Sequence, residues 1–283
     1  MGAAPLALRR RLQASPLGWL AWGFVACFLV FLLAIVAAVV VNSLGTRWLD
    51  HWLPDAFTTD WYGSAWREFG LTSVLRVTVQ IALAVVALAL VIGVPASYVL
   101  ARSDFPGRRV VMFAFLVPLL LPPVTYGIPL ATVLLREGVG GTATGVVIAN
   151  LVPSVPFVIL TMTPFIEQID PRIEDAARTL GAGTTTILVR VLGPLLVPGM
   201  LAAGLLVLVR TVGMFELSFF TAGPDSQPLV VVLYYAAFSP GVRASQSIDA
   251  MAVIYMGLMV TLLVAALSFV NPTNLVARIR ESG

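Results

Sequence analysis

Lysine is absent from this sequence of 283 residues, and cysteine and histidine occur only once each. Without lysine the chain cannot contain the glycine-rich loop whose lysine binds nucleotide phosphates, which excludes an ATPase site of that type. The single Cys27 excludes an intramolecular disulfide, and His51 has no partner at the spacing of metal ligands. We therefore predict no metal site, no cofactor and no catalytic residues.

Charge is also scarce, because only 11% of the residues are charged whereas 59% are apolar, and the mean hydropathy is +0.97. In soluble domains about a quarter of the residues are charged. A bilayer instead requires about 20 apolar residues for each helical crossing. The composition predicts a membrane protein, and a net charge of +3 gives no reason to expect a nucleic-acid partner.

The apolar residues are grouped in long segments. The first follows three arginines, as a secretory signal would, but its roughly 24 uncharged residues exceed the 7–15 of a signal sequence, so we expect a retained helix. The predicted transmembrane helices are residues 18–41, 74–100, 110–135, 142–166, 198–221 and 249–270.

The arginines are distributed unequally among the connecting loops. With the N-terminus in the cytoplasm, eleven lie on the cytoplasmic side: Arg9, Arg10, Arg11, Arg102, Arg108, Arg109, Arg172, Arg178, Arg190, Arg278 and Arg280. Four lie outside: Arg47, Arg67, Arg136 and Arg243. Because cytoplasmic loops carry the excess of positive charge, both termini are predicted to be cytoplasmic.

Prolines interrupt the third and fourth segments. They are Pro118, Pro122, Pro123, Pro129, Pro153, Pro156 and Pro164. Proline removes a helical hydrogen bond and kinks the axis, which is tolerated at membrane depth where protein or a wet cavity satisfies the freed groups. The pattern is typical of a moving transport pathway, with kinks used only for packing as the alternative.

The first outer loop, residues 42–70, is rich in tryptophan and acidic residues. Tryptophan and tyrosine favour the membrane–water boundary, so we predict an interfacial segment. A docking surface for an external protein is the alternative.

One charged segment, RIEDAARTLGAGTTTILVRVLGP at residues 172–194, lies between two apolar spans on the predicted cytoplasmic side. Its acidic start favours a helix N-terminus, and Gly181 is predicted to end that helix. Residues 184–192 predict a second short helix before Pro194. The first helix carries a narrow apolar stripe at helical spacing, formed by Ile173, Ala176, Ala177 and Leu180. The hairpin is predicted to have a knob-like exposed end on the cytoplasmic side.

This segment resembles the EAA loop of permease subunits in binding-protein-dependent ABC importers. Asp175-Ala176-Ala177, Gly181 and Pro194 stand at the motif positions, with Asp175 in place of the usual Glu and Gly193 in place of a bulky apolar residue. The resemblance implies a loop that docks on a cytoplasmic ATPase and couples its closure to movement of the spans. The residues assigned to this role are Glu174, Asp175, Ala176, Ala177, Arg178, Leu180, Gly181, Ala182 and Pro194.

The resemblance covers roughly residues 71–270 and implies an all-α polytopic permease with about six transmembrane helices and a type I importer fold, in the bacterial inner membrane. Residues 1–70 would add one helix and the outer loop, residues 167–197 the coupling loop, and residues 271–283 a cytoplasmic tail. The implied partners are two ATPase subunits, a second permease subunit, an extracytoplasmic solute-binding protein and the lipid bilayer.

Residues 115–130, 156–183 and 218–229 resemble the spermidine/putrescine branch of these permeases. Sugar permeases share Phe215-Glu216 and the Gly223-Pro224 turn in looser form, and importers of ferric iron, sulfate and phosphonate have close variants. The resemblance therefore implies a small polar organic solute, with a polyamine favoured. An ion-coupled secondary transporter, in which the charged segment would have no role, is the alternative from another class.

Polar side chains inside the spans are candidates for contact with the solute, because they are costly to place there. They are Tyr126, Asn150, Arg210 and Glu216. Glu216 suits a cationic or hydroxyl-rich solute and Arg210 suits an anion, while an ion pair between helices is the alternative for both. On one continuous helix these two residues would lie about 9 Å apart along the axis and on different faces. Tyr126 and Asn150 could instead serve only as hydrogen bonders in packing.

Overall fold

The structure, a computed structural model, describes residues 16–48, 53–239 and 243–269. Within these ranges the regular structure is helical, apart from one isolated antiparallel bridge between Gly45 and Phe57. The predicted all-α class is thus confirmed. The helices are α1 (Pro16–Leu44), α2 (Asp60–Glu68), α3 (Leu71–Arg102), α4 (Arg108–Leu120), α5 (Pro123–Arg136), α6 (Ala143–Glu167), α7 (Arg172–Thr179), α8 (Thr184–Gly213), α9 (Phe215–Thr221), α10 (Leu229–Phe238) and α11 (Ser245–Phe269).

Some predictions fall outside the described residues. They concern the arginines at 9–11, His51, Arg278, Arg280 and the tail at 271–283.

Five described helices are long and apolar enough to cross a membrane, namely α1, α3, α6, α8 and α11. The pair α4 and α5 makes a sixth crossing if it is counted as one span, but its two helices are bent by 95°. The bend lies at Leu121 and Pro122, whose backbones are extended, because a proline disfavours the helical conformation of the residue before it. The third predicted span, 110–135, thus consists of two helices, and the interruption predicted from its prolines lies at Leu121 and Pro122.

The main core lies where α3, α6 and α8 pack together. It contains buried aliphatic side chains from all three helices, including Val85, Val158, Met162 and Val207. Gly93 of α3 lies against Val158, and a Cβ atom at Gly93 would come within 2.6 Å of that side chain. A glycine here lets the two helix backbones approach closely, as small residues do in membrane interfaces.

The fifth predicted span differs from the structure at both ends. Residues 184–192 are helical as predicted, with a π-helical turn at Ile187–Leu192. This helix does not end before Pro194, because α8 continues from Thr184 to Gly213. At its other end α8 stops at Gly213, and the extended Met214 separates it from α9. The predicted span at 198–221 is thus two helices, and the rise of one helix does not relate Arg210 to Glu216.

The chain divides into two compact units, one from the described parts of residues 1–65 and 241–253, the other from the described parts of 66–240 and 254–283. In the first unit the end of α1 is tied to the outer loop. The Trp61 indole donates to the Gly45 carbonyl at 2.8 Å, and the hydroxyls of Ser43 and Tyr62 lie 2.8 Å apart. Whether this loop docks an external protein stays a prediction.

Candidate functional site

The charged segment forms a hairpin of α7 and the first turns of α8, which we call the coupling hairpin (residues 172–194). Helix α7 ends in a left-handed turn, because Gly181 has a φ of 84°. The amides of Ala182 and Gly181 donate to the carbonyls of Ala177 and Arg178, at 3.0 and 2.9 Å. This pair of bonds is the Schellman motif that glycine commonly provides at a helix end. The predicted stop at Gly181 is confirmed.

The end of the hairpin projects away from the rest of the chain. Leu180 is 89% exposed, and the space around a Cβ at Gly181 is empty. Ile173 and Ala176 are exposed too, and of the predicted apolar stripe only Ala177 packs on the core. Most of the apolar stripe therefore faces outward, at the exposed end that the sequence predicted for the hairpin. Asp175 and Arg178 form an exposed ion pair at 3.3 Å.

Glu174 is the buried side chain of α7, with a relative exposure of 2%. One carboxylate oxygen accepts from the Tyr98 hydroxyl at 2.8 Å, and the other accepts from Arg102 Nε at 2.7 Å. Arg102 also donates through Nη2 to the Ile169 carbonyl at 2.8 Å. Because a buried carboxylate needs a charged partner and hydrogen bonds, this arrangement satisfies it. Glu174 therefore faces α3 and not the exposed side of α7, and its role in the coupling loop stays a prediction.

Sequence reasoning missed Tyr98 in this arrangement and counted Arg102 only for orientation. The two residues are four apart at the end of α3, which places them on one helix face. This spacing is the feature of the sequence that could have indicated a joint role for Tyr98 and Arg102. Their partner on α7 lies more than seventy positions away in the chain, so no local pattern identifies it.

The solute-pathway candidates lie around the break between α8 and α9. Arg210 stands in the last turn of α8 and Glu216 in the first turn of α9, both half-buried. Tyr126 of α5 is within electrostatic reach of both charges and packs against the cluster that contains Met214 and Leu217. Its hydroxyl is buried without a hydrogen-bond partner in the described part of the chain. The fold thus brings three of the four candidates to one place.

Arg210 and Glu216 form no ion pair in the described ranges, and Arg210 instead lies 6.0 Å from the ring centroid of Phe157. This distance is typical of a cation–π contact. Asn150 is buried and its amide donates to the Val146 carbonyl at 2.9 Å, one turn earlier in α6. Nothing in its contacts connects Asn150 with the other three candidates.

An aromatic cluster beside Glu216 was not predicted. Phe215 and Phe219 of α9 contact Tyr234 of α10, with ring centroids 4.9 and 5.3 Å apart. Tyr235 and Phe238 extend the cluster and are partly or largely exposed. The aromatic residues of 215–238 were visible in the sequence, but the short helices that bring them together were not. Among the described residues, no group of His, Cys, Asp and Glu could hold a metal ion.

Comparison with known proteins gives four results. Residues 89–280 match the family described as binding-protein-dependent transport system inner membrane components. The spermidine/putrescine transport system permease protein PotC of Escherichia coli is 26% identical over 262 residues, which are 92% of this chain and 95% of that protein.

A probable sulfate transport system permease protein of Nephroselmis olivacea is 36% identical over 153 residues, 50% of this chain. The chain spans 54% of the length of that protein. Among solved structures, a bacterial ABC transporter involved in the import of the acidic polysaccharide alginate matches 88% of this chain and 95% of its own with a TM-score of 0.68. At 19% identity this likeness shows the fold.

Proposed function

This chain belongs to the family of binding-protein-dependent transport system inner membrane components, and we propose that it forms one half of the translocation pathway of an importer for a polyamine-like solute. As the multi-pass membrane permease of an ABC importer, it leaves ATP hydrolysis to separate ATPase subunits. Two ATPase copies, a second permease subunit and an external solute-binding protein complete the proposed assembly.

The exposed end of the coupling hairpin carries the proposal for ATPase docking. Leu180 is 89% exposed at the tip, beside small residues that allow a partner to approach closely. An exposed leucine with an open turn next to it is the kind of group that fills a pocket on a partner. ATP-driven closure of the two ATPases would push the hairpins together and switch the spans from inward-facing to outward-facing.

Docking of the hairpin is tested by reversing an exposed charge. We expect Asp175→Arg to lower recovery of the ATPase with the purified permease by roughly tenfold. A loss of about 1.4 kcal/mol of binding free energy lowers the affinity by that factor. Asp104→Arg is the matched control, since the Asp104 side chain is fully exposed at the end of α3 but outside the hairpin. Equal recovery with both variants would remove the hairpin from the docking surface.

The break at Met214 supports the location of the solute pathway. Discontinuous helices near the middle of a membrane are a common element of transporter binding sites, because their free ends and side chains can contact a solute. Here Tyr126 offers a buried hydroxyl without a partner, and Glu216 offers a carboxylate without an ion pair in the described chain. A solute with hydrogen-bonding and charged groups would satisfy both.

The surroundings of the two charges favour a cation. Arg210 already lies against the Phe157 ring, whereas Glu216 follows Phe215 in α9, and Phe215 belongs to an aromatic cluster with Phe219 and Tyr234. Aromatic faces attract alkylammonium groups, and a carboxylate adds an opposite charge. The similarity to a spermidine/putrescine permease along 92% of this chain supports the same solute class. Sulfate or phosphonate, a sugar and ferric iron are the alternatives.

Uptake by two single variants tests the solute class. We expect Glu216→Gln to reduce uptake of radiolabelled spermidine by about tenfold, one lost charge-assisted bond being worth about 1.5–3 kcal/mol, while Arg210→Gln is tolerated. The reverse dependence, with sulfate as the probe, would establish an anion, and moderate losses in both variants would indicate a sugar. Equal and complete loss in both would place the two residues in one structural network and contradict the proposal.

A further inference from the structure

Helix α7 contacts the π-helical turn at Ile187–Leu192 and reaches α3 through one buried polar side chain. It has eight residues, too few for a stable isolated helix. Six of them are exposed, Ala177 is half-buried, and Glu174 alone is buried. The position of α7 relative to α3 therefore depends on what Glu174 contacts.

The hydrogen bonds of the Glu174 side chain are to α3, and within α7 Arg178 Nη2 lies 3.9 Å from its carboxylate. Tyr98 and Arg102 donate to different oxygens of the Glu174 carboxylate, at 2.8 and 2.7 Å, and Arg102 also reaches the carbonyl of Ile169 just before the hairpin. We call Tyr98, Arg102 and Glu174 the α3 clamp. Tyr98 is itself a member of the main core, so the clamp joins the hairpin to the part of α3 that packs within the bundle.

The chain supplies two other connections from the hairpin to the bundle. Helix α6 precedes the hairpin by a few residues, and α8 continues directly out of it. Helix α3 has no such covalent connection, because its C-terminal Arg102 lies seventy-two positions before Glu174. Two short charge-assisted bonds between planar groups resist sliding and rotation much better than apolar contact does, since their geometry is directional.

We infer that Glu174 is a positioning residue, and that the α3 clamp makes α3 move as one body with the coupling hairpin. This inference rests on the proposed docking of an ATPase on the hairpin. The ATPase would contact the exposed end of the hairpin, and the clamp on its inner side would transmit the displacement to α3.

Distance measurements between two spin labels test this directly and need no solute. The labels are placed on exposed positions, Leu83 of α3 and Ile173 of α7, in a Cys27→Ser background and in the assembled complex with its ATPase. We expect one narrow distance that stays the same when ATP binds. With Glu174→Gln, ATP binding should shift or broaden the distribution beyond the wild-type width. Asp104→Asn, which removes an exposed carboxylate at the same end of α3, should leave it narrow.

Two further variants exclude a general loss of folding. Tyr98→Phe keeps the ring in the core and removes one hydrogen bond, so it should broaden the distance less than Glu174→Gln does. The charge exchange Arg102→Glu with Glu174→Arg should restore the narrow distance. An unchanged distribution in Glu174→Gln, or a wild-type distance that itself shifts with ATP, would overturn the inference. Loss of the bound ATPase from the wild-type complex would instead contradict the docking proposal.

Discussion

Gly181→Val is expected to abolish solute uptake while the protein still inserts into the membrane. Gly181 has a φ of 84°, in the left-handed region that a β-branched residue avoids. Valine would therefore open the Schellman turn, and the amides of Gly181 and Ala182 would lose their acceptors on α7. The tip that carries Leu180 would then point elsewhere. Uptake in vesicles, with membrane insertion measured separately, checks this result.

Two companion variants separate backbone strain from steric bulk. Gly183 has a φ of −74°, which valine adopts easily, and a Cβ at either glycine would meet nothing within 4 Å. Gly183→Val should therefore keep the turn that Gly181→Val destroys. Gly181→Asn should retain much of the uptake, because asparagine tolerates the left-handed conformation. Normal uptake by Gly181→Val, with the ATPase bound, would show that the turn is not needed for coupling.

Gly93→Leu is expected to prevent α3 from packing on α6. The first atom of any side chain at Gly93 would lie 2.6 Å and 2.8 Å from two carbons of Val158, closer than carbon atoms can approach. Val158 is fully buried, so it has no free space into which to move. Even Gly93→Ala should destabilise the protein by about 1–3 kcal/mol, the usual cost of overfilling a core. Thermal unfolding in detergent measures both variants.

Gly257 provides the comparison for Gly93. It also lies in a long apolar helix, α11, but a Cβ there would meet nothing within 4 Å. Gly257→Ala should keep or slightly raise the unfolding temperature, because alanine is the better helix former by about 1 kcal/mol. Equal destabilisation by Gly93→Ala and Gly257→Ala would point to a general sensitivity of apolar helices to substitution, and not to the crossing of α3 and α6.

The sequence alone predicted the features that depend on neighbouring residues. Each bilayer crossing needs about 20 apolar residues in succession, so five of the predicted spans correspond to helices long enough to cross the membrane, at least in part. The turn at Gly181 followed from a glycine after a short polar helix, and its left-handed backbone confirms it. The resemblance to importer permeases was carried mainly by the EAA-like segment at residues 172–194, because the residues of such a motif are close together in the sequence.

Only the tertiary structure decided which side chains meet. Glu174 is the buried side chain of α7 because its partners stand on α3, out of reach of any local pattern. The break at Met214 places Arg210 and Glu216 on separate helices. Tyr126 of α5, the helix after the bend, lies near both of these charged residues. Hydropathy reports how readily a segment enters the bilayer. It does not report whether the helix is continuous, so the break at Met214 inside an apolar segment could not be predicted from it. The contacts that define the clamp and the candidate pathway depend on how the helices pack.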